Sequence, residues 1–518
     1  MKLLRCVIFI PLALTGMACA QRRAPLRAAA NPGETPEFRA LWVDGFHAGI
    51  RSAKEVEQLI EDARRANVNT LIVQVRRRGD ALYSRSFEPP VEDPAYDGNF
   101  DGLAAVLESA HAAGIEVHAW VNAMPIWRDE TPPKDPRHVY NQHGPAQTGE
   151  ANWLTRSPKG EARFPVGYFL DPGHPGAAAY LVKVYLNIIR NYPIDGIHFD
   201  YIRYPETEER MERGAEVGYN ETSLTRFRRA TGRTDTPAPD DARFTDWRQQ
   251  QVTQLVRQIY IEAKALNPRI KVTAATIAWG KPPKNERNFL DMSPGQRIFQ
   301  DWNGWLKEGI LDMAIPMNYA READPTVRGW FDGWISWEKQ HRHGRQIAVG
   351  IGAYLNSKES NLAQLSRVLR PYGKGRVDGV SFFSYASMYT DPRPEPSAPP
   401  KAPPVDRLEY LSQGADAPFV RPAPVPQMPW IDKPATGWIA GTAVGPDGKG
   451  IDGATIEMRR AGWSPFRRAV RTITDGNGWF GFAGVAPGRY EVRLAQGVKT
   501  MVDVVAGKVG RADLRNAK

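Results

Sequence analysis

Cysteine is almost missing from this chain. Only Cys6 and Cys19 occur in 518 residues, so everything beyond position 20 is without a disulfide framework or a thiolate metal site. Stability must come from a large packed core, which this length can supply. Long apolar runs are scarce as well: the N-terminal one, Cys6 to Leu14, falls well short of the ~20 residues that a membrane-spanning helix needs. Clustered basic stretches are also lacking. The 68 Lys and Arg outnumber the 58 Asp and Glu for a net charge of +10, but the arginines are scattered. That pattern argues against nucleic-acid binding and suits polyanionic surroundings such as a cell wall. No Gly-rich phosphate loop follows the first apolar strand, and no nucleophilic serine motif occurs. With 42 % hydrophobic and 24 % charged residues, the composition is that of a folded protein rather than a disordered one.

The N-terminus has a pattern of its own. A charged start (Lys2, Arg5), a short apolar run and the small residues Ala18-Cys19-Ala20 read as a bacterial-type secretory signal over residues 1–20. The protein is therefore expected in the periplasm or at the cell surface. A lipid anchor on Cys19 is the competing reading; Gly16 stands where lipoprotein signals carry a larger aliphatic residue. Residues 21–36, rich in Pro, Ala and Arg, read as a loose segment.

From Phe38 onward, apolar runs of strand length alternate with amphipathic stretches of helical period. Strands are expected at 38–44, 70–76, 116–122, 195–201, 271–278, 311–318, 346–353 and 378–385, with helices between consecutive pairs. Eight βα units over residues 37–390 make an α/β fold, a TIM (β/α)8 barrel. The long insertions 77–100, 123–174 and 202–242 all follow strands, so they would build up the C-terminal rim, where barrel active sites lie. Residues 391–436 are Pro-rich and read as a semi-stiff linker. Beyond it, residues 437–518 carry short alternating strands and turn signals such as Pro446-Asp447-Gly448, the pattern of a small all-β sandwich.

In a barrel, alternate side chains of each strand point inward, and polar ones near the strand's C-terminal end face the mouth. On the fourth strand this puts His198 and Asp200 on one parity, with Tyr201 and Arg203 just beyond. Strand two gives Gln74, Arg76 and Arg78, and strand three gives His118, Trp120 and Asn122. Strand one ends at Asp44, strand six at Asn318 and Tyr319, with Glu322 and Asp324 following. Strands five, seven and eight run out at Trp279, Tyr354 and Tyr385. Carboxylates, amides and aromatic rings converging on one cup suit a sugar, whose C–H faces stack on rings while its hydroxyls bind the polar groups. Arg76, Arg78 and Arg203 could meet substrate carboxylates. Metal ligation is a poor fit, because the close pair His341 and His343 precedes strand seven at the opposite end; no metal and no cofactor is expected.

The segments 38–83, AGIEVHAWVN, LDPGHP, DGIHFDYIRYP, KVTAATIAWG, LDMAIPMNYARE and IAVGIGAYLNS together resemble the glycosyl-hydrolase-like family 10. That resemblance implies an exported barrel glycosidase related to bacterial enzymes that cut denuded peptidoglycan strands. Carried over by position, Asp200 is expected to be catalytic, as nucleophile or base. Glu322 is the first choice for the acid, with Asp44 and Asp324 behind it. Asp44, Arg76, Arg78, Trp120, Asn122, His198, Tyr201, Arg203, Trp279, Asn318, Tyr319, Tyr354 and Tyr385 are expected to bind the glycan. The C-terminal region looks like a carboxypeptidase regulatory-like, transthyretin-like sandwich. Two rivals remain open, a glycan-binding envelope scaffold without chemistry and a metal-dependent deacetylase.

Overall fold

A computed structural model describes residues 35–96, 98–207, 214–373, 375–389, 408–462, 468–495 and 497–515. The expected signal and anchor (1–20), the segment 21–34 and linker residues 391–407 lie outside the described residues.

Eight parallel strands close into a barrel in sequence order: β1 (Phe38–Val43), β2 (Thr70–Arg76), β3 (Glu116–Asn122), β4 (Gly196–Asp200), β5 (Lys271–Ile277), β6 (Met313–Met317), β7 (Gln346–Gly352) and β8 (Gly379–Phe383). The pair Phe38 and Gly379 opens the β1–β8 register that closes the ring. This is the (β/α)8 barrel that the alternation of apolar runs predicts. Around it run α1 (Ala53–Arg65), α2 (Gly102–Ala112), α3 (Pro175–Asn191), α4 (Glu221–Thr231), α5 (Ala242–Leu266), α6 (Trp302–Glu308), α7 (Pro325–Gln340) and α8 (Lys358–Leu369). The first of these shows why such segments coil. The Ser52 hydroxyl accepts the Glu55 N–H at 3.3 Å, and Val56, Leu59, Ile60 and Ala63 form one buried stripe. Helix α4 falls inside the 202–242 stretch expected as a rim insertion; Asn220 caps it, and Leu224 and Phe227 bury its inner face.

Strand alternation produces two separate apolar zones. Leu41, Val43, Leu71, Val73, Ile197 and Phe199 face the helices. Phe38, Ala40, Trp42, Ile72, Trp120 and Ile315 fill the barrel interior. Two interior glycines make room for large rings: a Cβ on Gly196 would lie 2.6 Å from the His118 ring, and one on Gly350 2.8 Å from that of Trp42.

The end of the Pro-rich stretch, from Phe419 onward, lies across the bottom of the barrel. The Glu37 N–H donates to Pro424 O (3.0 Å), Arg39 Nη1 to Arg421 O (2.6 Å) and Asn69 Nδ2 to Ala423 O (2.9 Å). Met428 joins the interior core, and the Trp430 indole donates to Asp312 Oδ1 at 2.7 Å. Asp312 is also held by Lys264 (2.9 Å) and Tyr260 (2.8 Å), a buried network that fixes this strap.

The C-terminal unit is a sandwich of two sheets. One contains β9 (Gly437–Val444), β12 (Trp479–Val485), β15 (Val509–Arg511) and β16 (Leu514–Arg515). The other contains β10 (Thr455–Arg460), β11 (Val470–Ile473), β13 (Gly488–Leu494) and β14 (Lys499–Val504). Trp438 and Trp479 of the first sheet enter the helix-side core of the barrel. Arg511 pairs with Glu262 of α5 at 2.7 Å, and the Trp479 indole donates to the same carboxylate at 2.9 Å.

Candidate active site

Asp200 is the last residue of β4 and is 6 % exposed at the mouth. Immediately after it the chain turns, with Tyr201 at φ +49°, a conformation uncommon for a side chain of this size. The turn brings the Tyr201 N–H onto Asp200 Oδ1 at 2.7 Å. Burial pushes the Asp200 carboxyl up from the ordinary 3.8 to about 6. The Arg203 charge, the Tyr201 N–H and the Trp120 indole pull against that rise without cancelling it. A carboxyl in this position holds or gives up a proton near neutral pH.

The surroundings are aromatic. Phe383, at the end of β8, is ringed by Trp42, Trp120, Tyr319 and Tyr354 at centroid distances of 6.2, 6.3, 5.7 and 6.0 Å. Tyr319 senses the Asp200 charge. Arg203 is stacked between Tyr201 (4.4 Å) and Trp279 (5.3 Å) and reaches Glu206 at 3.4 Å. The Trp120 indole donates to Asn122 Oδ1 (2.9 Å), whose amide donates to Arg77 O (3.1 Å). Arg78 rests over the Phe46 ring at 5.1 Å and forms no ion pair among the described residues. Burial holds its guanidinium below the ordinary value, Asp80 opposes that, and Arg128 adds to it.

Asp44 follows β1. Burial would raise its carboxyl, but the His47 ring at 2.7 Å and the Phe46 N–H at 3.0 Å outweigh burial and hold it below the ordinary aspartate value. It therefore gives up its proton at a lower pH than Asp200 does. One inward step below the two carboxyls, the Trp42 indole donates to His198 Nε2 at 3.2 Å and links β1 to β4 across the interior.

Six expected site residues are placed elsewhere, each for an identifiable reason. His198 is fully buried beneath the mouth. With Nε2 accepting from Trp42, Nδ1 carries the proton toward Thr273 Oγ1 at 2.9 Å, and burial with the His118 charge keeps the ring neutral. Arg76 follows a bulge in the β2–β3 register between Gln74 and Arg76, which turns it to the helix side. There it is fully buried, binds Glu88 at 2.8 Å through Nε and donates to Asn122 O. Asn318 takes the outer parity and donates to Glu338 Oε2 of α7 at 3.1 Å. Tyr385 lies beyond the end of β8, and its hydroxyl donates to Asp62 Oδ2 of α1 at 2.8 Å; Phe383 occupies the mouth in its place. Glu322 is carried outward over α8, where Arg367 (2.6 Å) and Gln364 (3.2 Å) take its Oε2. The structure does not bring it to Asp200. Asp324 caps α7, accepting the Thr326 N–H at 2.8 Å.

Trp42 and Phe383 were missed because both read as plain strand residues. Their inward parity, shared with Ala40 and Ser381, was the available signal. Among the described residues, no group of three or more His, Cys, Asp or Glu side chains is arranged to hold a metal ion, and no helix is long and apolar enough to cross a membrane.

A family model described as Glycosyl hydrolase-like 10 matches residues 37–363. Glycosyl hydrolase YngK of Bacillus subtilis (strain 168) is 24 % identical over 435 residues, which cover 78 % of this chain and 76 % of that protein. Glycosyl hydrolase DigH of Escherichia coli (strain K12) is 24 % identical over 300 residues, 53 % of this chain and 61 % of DigH. Among solved structures, the PgaB (BpsB) glycoside hydrolase domain from Bordetella bronchiseptica aligns with a TM-score of 0.48 at 14 % identity. That alignment covers 67 % of this chain and 94 % of that one. The catalytic domain of β-amylase from Paenibacillus polymyxa aligns at 0.47 and 13 % identity, over 68 % and 93 % of the two chains.

Proposed function

The chain belongs to the glycosyl hydrolase-like 10 family, and from that premise we propose that it is an exported glycoside hydrolase cutting an extended cell-envelope glycan, the denuded strands of peptidoglycan. The observation that carries this reading is the Asp200 carboxyl, raised to about 6 by burial at the end of a barrel strand and surrounded by rings. Glycoside hydrolysis needs one carboxyl that is protonated and one that is ionised. Two acids whose environments push their pKa values apart meet that need. Asp200 supplies the proton to the leaving glycosidic oxygen. Asp44, kept ionised by His47 and the Phe46 N–H, is its partner on a different wall of the mouth. Asp200 thus takes the acid's role instead of the nucleophile's or base's, and Asp44 replaces Glu322, whose carboxylate is already bound to Arg367. Tyr319, Tyr354, Phe383 and Trp279 offer faces to pyranose rings, and Arg78 is free to meet a lactyl carboxylate. The signal at 1–20 would deliver the protein to its substrate. The C-terminal sandwich is read as a carboxypeptidase regulatory-like module.

The test is digestion of purified glycan strands stripped of stem peptides, with products identified by mass. Asp200→Asn is expected to lose about 10²–10⁴-fold in rate, the usual contribution of a positioned acid. Full activity in that variant would remove Asp200 from the chemistry. The scaffold reading draws on one observation, that Glu322 is occupied by Arg367. It calls for retention on sacculi with no new reducing ends, in the native chain and the variant alike.

A further inference from the structure

The loop that follows Asp200 is held at both ends. At the near end the Ala123 N–H donates to Asp200 O at 2.8 Å. At the far end Tyr204 is fully buried. Its N–H donates to Ile298 O at 3.1 Å, its ring packs edge-on against Phe299 at 5.4 Å, and its hydroxyl donates to Asp171 Oδ1 at 3.2 Å. Between these ends lies Arg203, whose buried Nε has no hydrogen-bond partner among the described residues. Its guanidinium is kept in place by the Tyr201 and Trp279 rings, by a 3.4 Å contact with half-exposed Glu206, and by the anchoring of the next residue, Tyr204.

Asp171 belongs to the segment Leu170–Pro175, a motif that neither the barrel strands nor the two mouth carboxyls account for. Its carboxyl is fully buried and forms no ion pair among the described residues. Donors from three stretches of chain converge on it instead: the Gly173 N–H (2.8 Å), the Ser223 hydroxyl in the first turn of α4 (3.0 Å) and the Tyr204 hydroxyl. Gly173 leaves room for this meeting, since a Cβ there would lie 2.8 Å from Ser223 Oγ and 3.0 Å from Asp171 Oδ1. A buried carboxyl without a cation costs stability, and an apolar group of the same size would cost less. What the carboxyl supplies is position, because it gives the Tyr204 hydroxyl one place to bond.

We propose that Asp171 is a positioning residue for the reaction at Asp200: through Tyr204 it fixes the Arg203 guanidinium beside the acid. The Asp200 charge reaches Tyr185 on α3, Tyr201, Tyr319 and Arg203, and of these Arg203 alone is charged at neutral pH. Burial raises the Asp200 carboxyl and Arg203 restrains the rise, so a displaced Arg203 lets Asp200 hold its proton to a higher pH. The kinetic part of this inference rests on Asp200 being the proton donor; the anchoring itself does not.

The test compares the pH dependence of kcat/KM on denuded glycan strands in the native chain and in Tyr204→Phe, Asp171→Leu, Asp171→Asn and Arg203→Met. The native rate is expected to fall through about 6. In Tyr204→Phe, which keeps the ring and loses the hydroxyl, and in Asp171→Leu, the fall is expected about 1 pH unit higher, the lower end of what a neighbouring guanidinium does to an aspartate. Arg203→Met should move it at least as far. Asp171→Asn still offers an oxygen to Tyr204 and should keep the fall at about 6. A fall that stays at its native pH in Tyr204→Phe overturns the proposal whatever the melting temperature does, because a merely structural anchor would cost stability alone. A fall moved to lower pH in Asp171→Asn overturns it too, since Asp171 would then act on Asp200 directly as a charge. If the native chain cuts no glycan, the mouth loses its proposed function and the melting temperature carries the test. Asp200→Asn added to Tyr204→Phe should then give a lead that grows to about pH 7, about 1 unit beyond the pH at which it levels off in the native background. A lead that levels off at the same pH in both backgrounds overturns the anchoring.

Discussion

At the residue scale, the behaviour of Asp200 follows from where β4 ends. At the strand end the carboxyl is dehydrated and rises to about 6. If it is the proton donor, kcat/KM on glycan strands falls as the pH rises through about 6, because the acid form is lost. A rate that instead climbs through that range would give Asp200 the role of base. The same shift has a consequence for stability. Folding favours the neutral acid, so between the unfolded value near 3.8 and the folded value near 6 the unfolded state ionises first, and stability declines as pH increases. Above about 6 both states are ionised and the loss is complete. The Asp200→Asn chain lacks this loss, so its melting temperature should gain on the native one from pH 4 to 6 and hold that lead at higher pH. Equal differences at pH 4 and pH 7 would show that the carboxyl is not dehydrated.

At the element scale, a single bulge separates an inward arginine from a buried one. Without the irregularity between Gln74 and Arg76, strand alternation would aim Arg76 at the mouth. With it, the guanidinium lies among Glu88, Tyr180 and Tyr185, binds Glu88 and holds the backbone where β3 ends. Removing one partner of a buried pair leaves an uncompensated charge, which costs about 3–5 kcal/mol. Arg76→Met should therefore lower the urea midpoint sharply while KM for glycan, measured on the folded fraction, stays unchanged. A raised KM at native stability would return Arg76 to the substrate. Parity alone placed Trp120, Asn122 and Asp200 at the mouth because β3 and β4 run in unbroken register with each other. It failed at β2 because the residue that bulges, Val75, has nothing in its side chain to announce it.

At the scale of the whole molecule, the barrel is closed from below by its own continuation. Met428 is 1 % exposed within the interior cluster, although the whole of residues 384–427 separates it from the end of β8 in sequence. Truncating it is expected to cost about 2–5 kcal/mol, the range for a buried Met→Ala change. Val420→Ala on the exposed part of the same strap should stay within about 0.5 kcal/mol. Denaturation midpoints of the two variants check this, and a silent Met428→Ala would mean that the strap is not part of the barrel's core. The sandwich adds Trp438 and Trp479 to the helix-side core, which ties a module that reads as independent in sequence to the outer face of α5.

The sequence by itself determined the barrel, because eight apolar runs separated by amphipathic helices can bury their surfaces together in few ways, and it put Asp200 near the C-terminal end of the fourth strand. It also marked the sandwich, whose turn residues carry their own geometry. The tertiary structure decided everything that depends on which neighbour arrives first. Arg367 reaches Glu322, α1 meets Tyr385, α7 takes Asn318, and the strap finds the floor of the barrel. Periodicity is local and survives in a string of letters. A side chain's partner comes from elsewhere in the chain, and its charge and burial exist only once the chain has closed around it.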